Sequence, residues 1–302
     1  MRQQPKAGGG LLKNIARNRT NYLFLLPFGI VFLLFTVIPV VIAICLSFTH
    51  FNVLEPPTFN GWGNFQQLFF NDDLFITALT NTLTFAVILG PAGYILSLAF
   101  AWFINELGPK MRSFMTLLFY APSLANIYVI WKVIFSSDAY GFVNAWLTRL
   151  GFITSPVLWL QSKSTMVGVI ILIQIWMSMG NGFLVFLAGL QNVNAEYYEA
   201  AAVDGVSGRL QQLVYITLPQ MKPQLLFGCI NAITASFAVF DISAGFAGVP
   251  SPNYAADTIV SHLYDFAFIR FEMGYASAIA VVLFVLTFAI SRIVMHALRE
   301  KE

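Results

Sequence analysis

Long stretches without a charged side chain constrain this sequence more than any other feature. They run from Thr20 to Leu54, Leu74 to Asn105, Ser113 to Trp131, Ser164 to Ala195, Pro223 to Phe240 and Met273 to Ser291. About 20 apolar residues in a helix cross the roughly 30 Å hydrocarbon core of a bilayer. The runs therefore predict an all-α membrane protein with six spans, near 22–48, 76–105, 113–135, 165–190, 224–246 and 273–294. A β-barrel would alternate apolar and polar residues over segments of about ten, whereas Phe24-Leu25-Leu26 and Val281-Val282-Leu283-Phe284 are continuously apolar. Composition agrees: 10% of the 302 residues are charged, against about 25% in a soluble domain.

The few charges set the orientation. Arg2, Lys6, Lys13, Arg17 and Arg19 precede the first run, and Lys110 and Arg112 separate the second from the third. Arg209 and Lys222 separate the fourth from the fifth, and Arg292, Arg299 and Lys301 follow the sixth. Twelve of the 16 basic residues thus fall on one side, leaving Lys132, Arg149, Lys163 and Arg270 for the other. Lys and Arg concentrate in cytoplasmic loops, which predicts that both termini are cytoplasmic. Residues 1–21 are then a cytoplasmic segment, 22–296 a transmembrane domain containing a cytoplasmic loop at 191–223, and 297–302 a short tail. The first run exceeds the apolar core of a signal peptide, about 7–15 residues, and reads as an uncleaved helix.

Several chemistries are disfavoured. Cys45 and Cys229 lie in apolar runs as packing residues, and His50, His262 and His296 are isolated from them and from one another, so no metal site is expected. There is no HExxH pair and no GxxxxGK[ST] phosphate loop. The chain is expected to be no enzyme and to hold no cofactor; ATP and Mg would have to be bound by other subunits. A formal charge of +2 offers no track for nucleic acid. The outer loops 55–73 and 136–163 carry Trp62, Trp146 and Trp159; the latter two suit the membrane surface or contact with an external partner.

The cytoplasmic loop is the most informative segment. Asn194 is suited to cap a helix over Ala195-Glu196-Tyr197-Tyr198-Glu199-Ala200-Ala201-Ala202, whose acidic residues lie near the positive helix end. Gly205 and Gly208 supply a turn, Arg209 to Ile216 a second helix, and Pro219 and Pro223 the entry to the fifth span. Glu199-Ala200-Ala201, Gly205 and Ile216-x-Leu218-Pro219 resemble the EAA motif of membrane subunits of binding-protein-dependent ABC importers. Tyr198-Glu199-Ala200-Ala201-Ala202-Val203-Asp204-Gly205 is similar to the carbohydrate branch. Leu26-Pro27-Phe28, Asn81-Thr82-Leu83 and Gly274-Tyr275-Ala276-Ser277-Ala278 extend the resemblance to the MalF/UgpA-type permease along most of the chain. Two departures stand out: ten residues separate Gly205 from Ile216 where the family pattern has nine, and Ala195 stands where proline is frequent. The extra residue is expected to lengthen the turn at Ser207-Gly208.

The resemblance implies a type I ABC importer permease in the cytoplasmic (inner) membrane of a bacterium. It implies three kinds of protein partner: a second permease of the MalG/UgpE type, two ABC ATPase subunits and an extracytoplasmic sugar-binding protein. Tyr198, Glu199, Ala200, Ala201, Ala202, Asp204 and Gly205 would then couple ATPase closure to alternating access, with a sugar or oligosaccharide as substrate and lipid around the helices. An ion-coupled secondary transporter is the alternative, but the sequence shows no convincing internal repeat, and Asp241 alone is an acidic residue close to a span.

Polar residues inside spans mark a candidate path, since they are costly against lipid. Gln174, Ser178 and Asn181 share one face of the fourth span, and Asn231, Thr234 and Asp241 are expected on one face of the fifth. Trp176, Phe237 and Tyr128 are aromatics of a kind that stacks on sugar rings. The same polar residues also suit hydrogen bonds between helices, and sequence leaves both roles open. Gly274/Ala278 and Ala276/Ala280 have the small-xxx-small spacing of a close helix contact, read here as one with a second permease.

Overall fold

The computed structural model describes residues 19–121, 128–206 and 208–299. Helix α1 (Arg19–Phe32) passes through a π-helical turn (Leu33–Val37) into α2 (Ile38–Leu46). A two-stranded antiparallel pair, β1 (Thr49–His50) and β2 (Thr58–Phe59), leads to α3 (Gly63–Phe70). The long α4 (Asp73–Asn105) is followed by α5 (Pro109–Tyr120), α6 (Tyr128–Ile134), α7 (Phe142–Arg149) and α8 (Lys163–Gln191). Next come α9 (Ala195–Val203), α10 (Arg209–Gln212), a π turn (Leu213–Thr217) and α11 (Leu218–Gln220). Helices α12 (Lys222–Phe237), α13 (Asp241–Ala247), α14 (Ile259–Tyr264) and α15 (Met273–Arg299) complete the chain.

Five helical segments among the described residues, one of them interrupted, are long and apolar enough to cross a bilayer: Thr20–Leu46, Asp73–Asn105, Lys163–Gln191, Lys222–Ala247 and Met273–Leu298. The third expected span, 113–135, covers α5 and α6 and runs across 122–127, which lie outside the described residues. The expected N-terminal segment up to Asn18 and the tail residues 300–302 lie outside them too.

The bundle is organised around α4, which packs against α8 and α12. Toward the basic end, where Lys110, Arg112 and Arg209 lie, Ala101, Ile104, Phe183, Phe186, Leu190 and Met221 form one apolar cluster. Toward the opposite end, Phe85, Met166, Ile170, Val239, Ile242 and Phe246 form another. Close approach is achieved with glycine: a Cβ on Gly228 of α12 would lie 2.5 Å from the Phe186 ring of α8.

The fifth span is not a continuous helix. α12 ends at Phe237, residues 238–240 leave helical geometry, and α13 restarts at Asp241. Backbone broken at membrane depth must find partners inside the protein, and it does: Thr258 Oγ1 donates to the Val239 carbonyl at 2.8 Å, and Ser243 Oγ donates to the Ala256 carbonyl. The segment supplying those groups is held in turn by α4, where Asn81 Nδ2 donates to the carbonyls of Tyr254 and Asp257 and Thr82 Oγ1 accepts from Ile259 N–H at 2.9 Å. The same end is tied by Asp72, the N-cap of α4, which accepts from Phe75 N–H, from Tyr275 Oη at 2.7 Å and from His262 Nε2 at 2.8 Å. Burial favours the neutral carboxyl of Asp72, yet the hydrogen bonds of Tyr275 and Phe75 and the imidazole of His262 outweigh it. They hold the carboxyl below its ordinary pKa.

One expectation about helix contacts needs revision. Gly274, Ala276 and Ala278 are buried within this chain; Gly274 N–H donates to the Phe51 carbonyl at 3.0 Å and a Cβ there would collide with the Thr49 carbonyl. Gly274 thus packs on the 49–51 segment and Ala276 on the cluster that holds Leu68 and Phe75. The large exposed apolar surface lies elsewhere, on the first span, where Leu23, Phe24, Phe28 and Phe35 all face outward.

Candidate functional site

One candidate site lies at the basic end and another within the bundle. At the basic end, Asn194 caps α9 by accepting from Glu196 N–H at 3.2 Å. The helix ends in a paired backbone lock: Val206 N–H donates to the Ala201 carbonyl at 2.9 Å and Gly205 N–H to Ala202 at 3.3 Å. That Schellman arrangement needs a left-handed residue, and Gly205 has φ +89°. Tyr198 turns inward, its hydroxyl 2.9 Å from Thr217 Oγ1, which also donates to the Gln212 carbonyl. Glu199, Ala200, Ala202 and Asp204 are exposed while Ala201 is half-buried, and Val203 is 88% exposed. Tyr197, Leu210, Val214 and Tyr215 add further exposed apolar area around the loop.

The π turn at Leu213–Thr217 holds one residue more than an α turn would, and Leu218-Pro219 start α11 directly after it. Ser207, where the lengthening was expected, lies outside the described residues. An ion pair between Arg209 Nη1 and Glu106 Oε2 at 2.7 Å joins this loop to the end of α4.

Within the bundle, α4, α8 and α12 enclose a cavity of about 220 Å³. Gln174 and Asn231 both line it, together with Tyr94, Ser97, Met177 and Ser236. Neither carboxamide bonds to another described residue. Tyr94 is fixed by donating to the Leu225 carbonyl at 3.3 Å and by an edge-on contact with Phe186, and Ser236 donates to the Ile233 carbonyl at 2.7 Å. No lining residue carries a charge.

Thr234 and Asp241 do not join this group. Thr234 donates to the Ile230 carbonyl and lines a groove against Phe284, Thr287 and Phe288 of the sixth span. Asp241 is exposed at the start of α13, beyond the break, so the expected common face with Asn231 is interrupted. The side chains of Ser178 and Asn181 lie outside the described residues, as does that of Tyr128. Phe237 is only 3% exposed and Trp176 is packed edge-on against Trp131, so both are engaged in the core. Trp159 donates to Asn144 at 2.9 Å, whereas Trp146 is exposed. Sequence reasoning passed over Tyr94, Ser97 and Ser236; the glycines facing them, Gly182 against Ser97 and Gly90 against Ser236, were the available signal.

The known proteins that this chain is similar to agree with one another. Residues 91–301 match the family described as binding-protein-dependent transport system inner membrane component. A probable ABC transporter permease protein of Bacillus subtilis, YesP, is 36% identical over 89% of this chain and 87% of its own length. The arabinooligosaccharides transport system permease protein AraP of the same organism is 33% identical over 90% and 86%. Among solved structures, a bacterial ABC transporter involved in the import of the acidic polysaccharide alginate overlays with a TM-score of 0.78 at 27% identity, covering 97% of this chain and 99% of that one. A bacterial alginate ABC transporter in complex with an alginate pentasaccharide-bound periplasmic protein matches with a TM-score of 0.77 at 27% identity, covering 97% of this chain and 98% of that one. The chain belongs to the family of inner membrane components of binding-protein-dependent transport systems, the permeases of ABC importers.

Proposed function

We propose that this chain is one transmembrane permease subunit of an ATP-driven importer of a sugar or oligosaccharide in a bacterial cytoplasmic membrane. The observation that carries the reading is the pairing of an outward-facing α9 with a loop bonded to the base of the fifth span. Glu199, Ala200, Ala202, Asp204 and Val203 are presented outward, and Tyr198 and Thr217 join α9 to the helix that leads into α12. An ATPase subunit docked on that face moves α12 when it closes, and Asn231 and Ser236 move with it. The small alanines admit close approach and the carboxylates of Glu199 and Asp204 accept hydrogen bonds at the rim. Hydrolysis belongs to the two ATPase subunits, which hold ATP and Mg; this chain performs no bond chemistry. A second permease completes the pathway, and an external binding protein delivers the solute.

The cavity favours a neutral saccharide. Its lining mixes the phenol of Tyr94, hydroxyls and two unengaged carboxamides with apolar side chains, which suits a hydroxylated solute better than a helix-to-helix bond. The names of relatives such as the arabinooligosaccharide permease support the saccharide class.

The test is uptake by proteoliposomes containing the full complex with its binding protein. ATP-dependent accumulation is expected, and Glu199→Lys is expected to abolish both uptake and stimulation of the ATPase by loaded binding protein. Accumulation that persists without ATP, and is lost when the ion gradient is dissipated, would point instead to ion coupling.

A further inference from the structure

Two cavities of opposite character meet at Arg112. One, about 550 Å³ and polar, is bounded by Asn105, Gln191, Tyr198 and Gln212 beside the coupling loop. The other, about 400 Å³ and mainly apolar, follows the groove between α5 and α8. Arg112 and Gln191 line both. Along the groove, Ser113, Thr116, Leu117 and Tyr120 share one face of α5, and Leu187 of α8 stands opposite. At about 1.5 Å per residue that face is about 10 Å long, enough for the upper part of an acyl chain.

The guanidinium of Arg112 is held in place and incompletely satisfied. Its Nη2 donates to the carbonyls of Asn105 at 2.6 Å and Leu107 at 3.1 Å, the end of α4. Its Nε is buried and has no hydrogen-bond partner among the described residues, a costly condition for a donor. Arg209, the other arginine on the polar cavity, is already neutralised by Glu106. A fixed cation with a spare donor, at the junction of a polar chamber and an apolar groove, is complementary to an amphiphile with a phosphate head.

We propose that Arg112, Gln191 and the α5–α8 groove form a binding site for an anionic glycerophospholipid of the inner leaflet. The phosphate lies at the Arg112 guanidinium and one acyl chain follows Ser113, Thr116, Leu117 and Leu187. Basic pockets between spanning helices on the cytoplasmic side are where such headgroups bind, and the apolar groove sets a lipid apart from a soluble anion. Because the polar chamber is walled by Tyr198 and Gln212, occupancy steadies the base of the coupling loop against α4 and α8. The inference concerns lipid and does not depend on which solute is carried.

The experiment is mass spectrometry of lipid retained by the full complex after reconstitution in phosphatidylcholine nanodiscs containing one fifth phosphatidylglycerol. Several-fold enrichment of phosphatidylglycerol over the bulk ratio is expected for the wild type, and Arg112→Gln is expected to return it to the bulk ratio. Leu117→Trp, which fills the groove at an exposed position and leaves the guanidinium intact, is expected to do the same, and it decides the matter if Arg112→Gln does not assemble. No enrichment in the wild type, or enrichment unchanged in Leu117→Trp, overturns the proposal. So does complete displacement by millimolar inorganic phosphate, which would mark a soluble-anion site. Efficient cross-linking of Thr116→Cys to the second permease would overturn it as well, by showing the groove filled with protein.

Discussion

The loop at the basic end and the cavity within the bundle are built in opposite ways. Most bonds that shape the loop are local: Asn194 caps the helix two residues on, Gly205 closes it, and Tyr198 reaches Thr217 nineteen residues away, with the Arg209–Glu106 ion pair as the long-range tie. The cavity is made by three helices that meet, with Tyr94 and Ser97 from one, Gln174 from the next and Asn231 and Ser236 from a third. A site that works by presenting a surface to another protein can be written in consecutive residues. A site that works by enclosing a solute depends on the rotational phase of helices far apart in sequence, and small residues decide how closely they approach.

That contrast can be tested by substitutions that act on one site and spare the other. The largest effect is expected for Gly228→Val, because its Cβ would lie 2.5 Å from Phe186 and overpacking costs about 1–3 kcal/mol. Thermal unfolding of the complex should fall clearly, with uptake lost in step; an unshifted transition would show that α8 and α12 are not held at this distance. Gly205→Val forces a branched side chain to φ +89°, at a cost of about 1–3 kcal/mol confined to the loop. Its signature is ATPase activity uncoupled from uptake by several-fold, with the thermal transition of the membrane domain nearly unchanged.

Gln174→Leu and Asn231→Leu remove carboxamides worth about 0.5–1.5 kcal/mol each as hydrogen-bonding groups, so the solute concentration for half-maximal uptake should rise a few-fold at constant ATPase stimulation. Thr234→Val is the internal control, since Thr234 faces the sixth span; if it shifts that concentration as much as Asn231→Leu, the division of faces on α12 is wrong. The smallest effect is expected at Asp72, away from both sites. Its carboxyl titrates below its ordinary value of about 4. It therefore contributes stability that is complete above the unfolded value and is lost as pH falls through the folded one. Asp72→Asn should be less stable than wild type at neutral pH, with the gap narrowing once the pH drops below about 4; a gap independent of pH would mean that charge is irrelevant there.

Sequence reading reached the loop and the class of fold because both rest on short-range information. The apolar runs delimit the long helices, and the cap, the alanines and the glycine of the loop specify a helix and its end. It reached the cavity only halfway. Gln174 and Asn231 were visible as polar residues in apolar runs, but Thr234 points to another neighbour and Asp241 lies beyond a break that no proline or glycine between Phe237 and Asp241 announces. The break depends on Thr258, and Thr258 is positioned by a segment that Asn81 and Thr82 hold. Asn81-Thr82 stood out as part of a resemblance, yet its work is tertiary and shows only when strands of chain about 175 residues apart are seen together. The small residues at Gly274 and Ala278 were readable as a close contact, while the identity of the contacting segment was not.

The interrupted fifth span also bears on how the protein is made. α12 ends after 16 residues, about 24 Å of helix, and the carbonyl left open at Val239 is closed by a hydroxyl that emerges from the ribosome nineteen residues later. Until that part of the chain has been synthesised, the nascent helix carries an unsatisfied backbone group inside the membrane. The fifth span is therefore complete only once the chain as far as Thr258, which lies ahead of the sixth span, has folded against it.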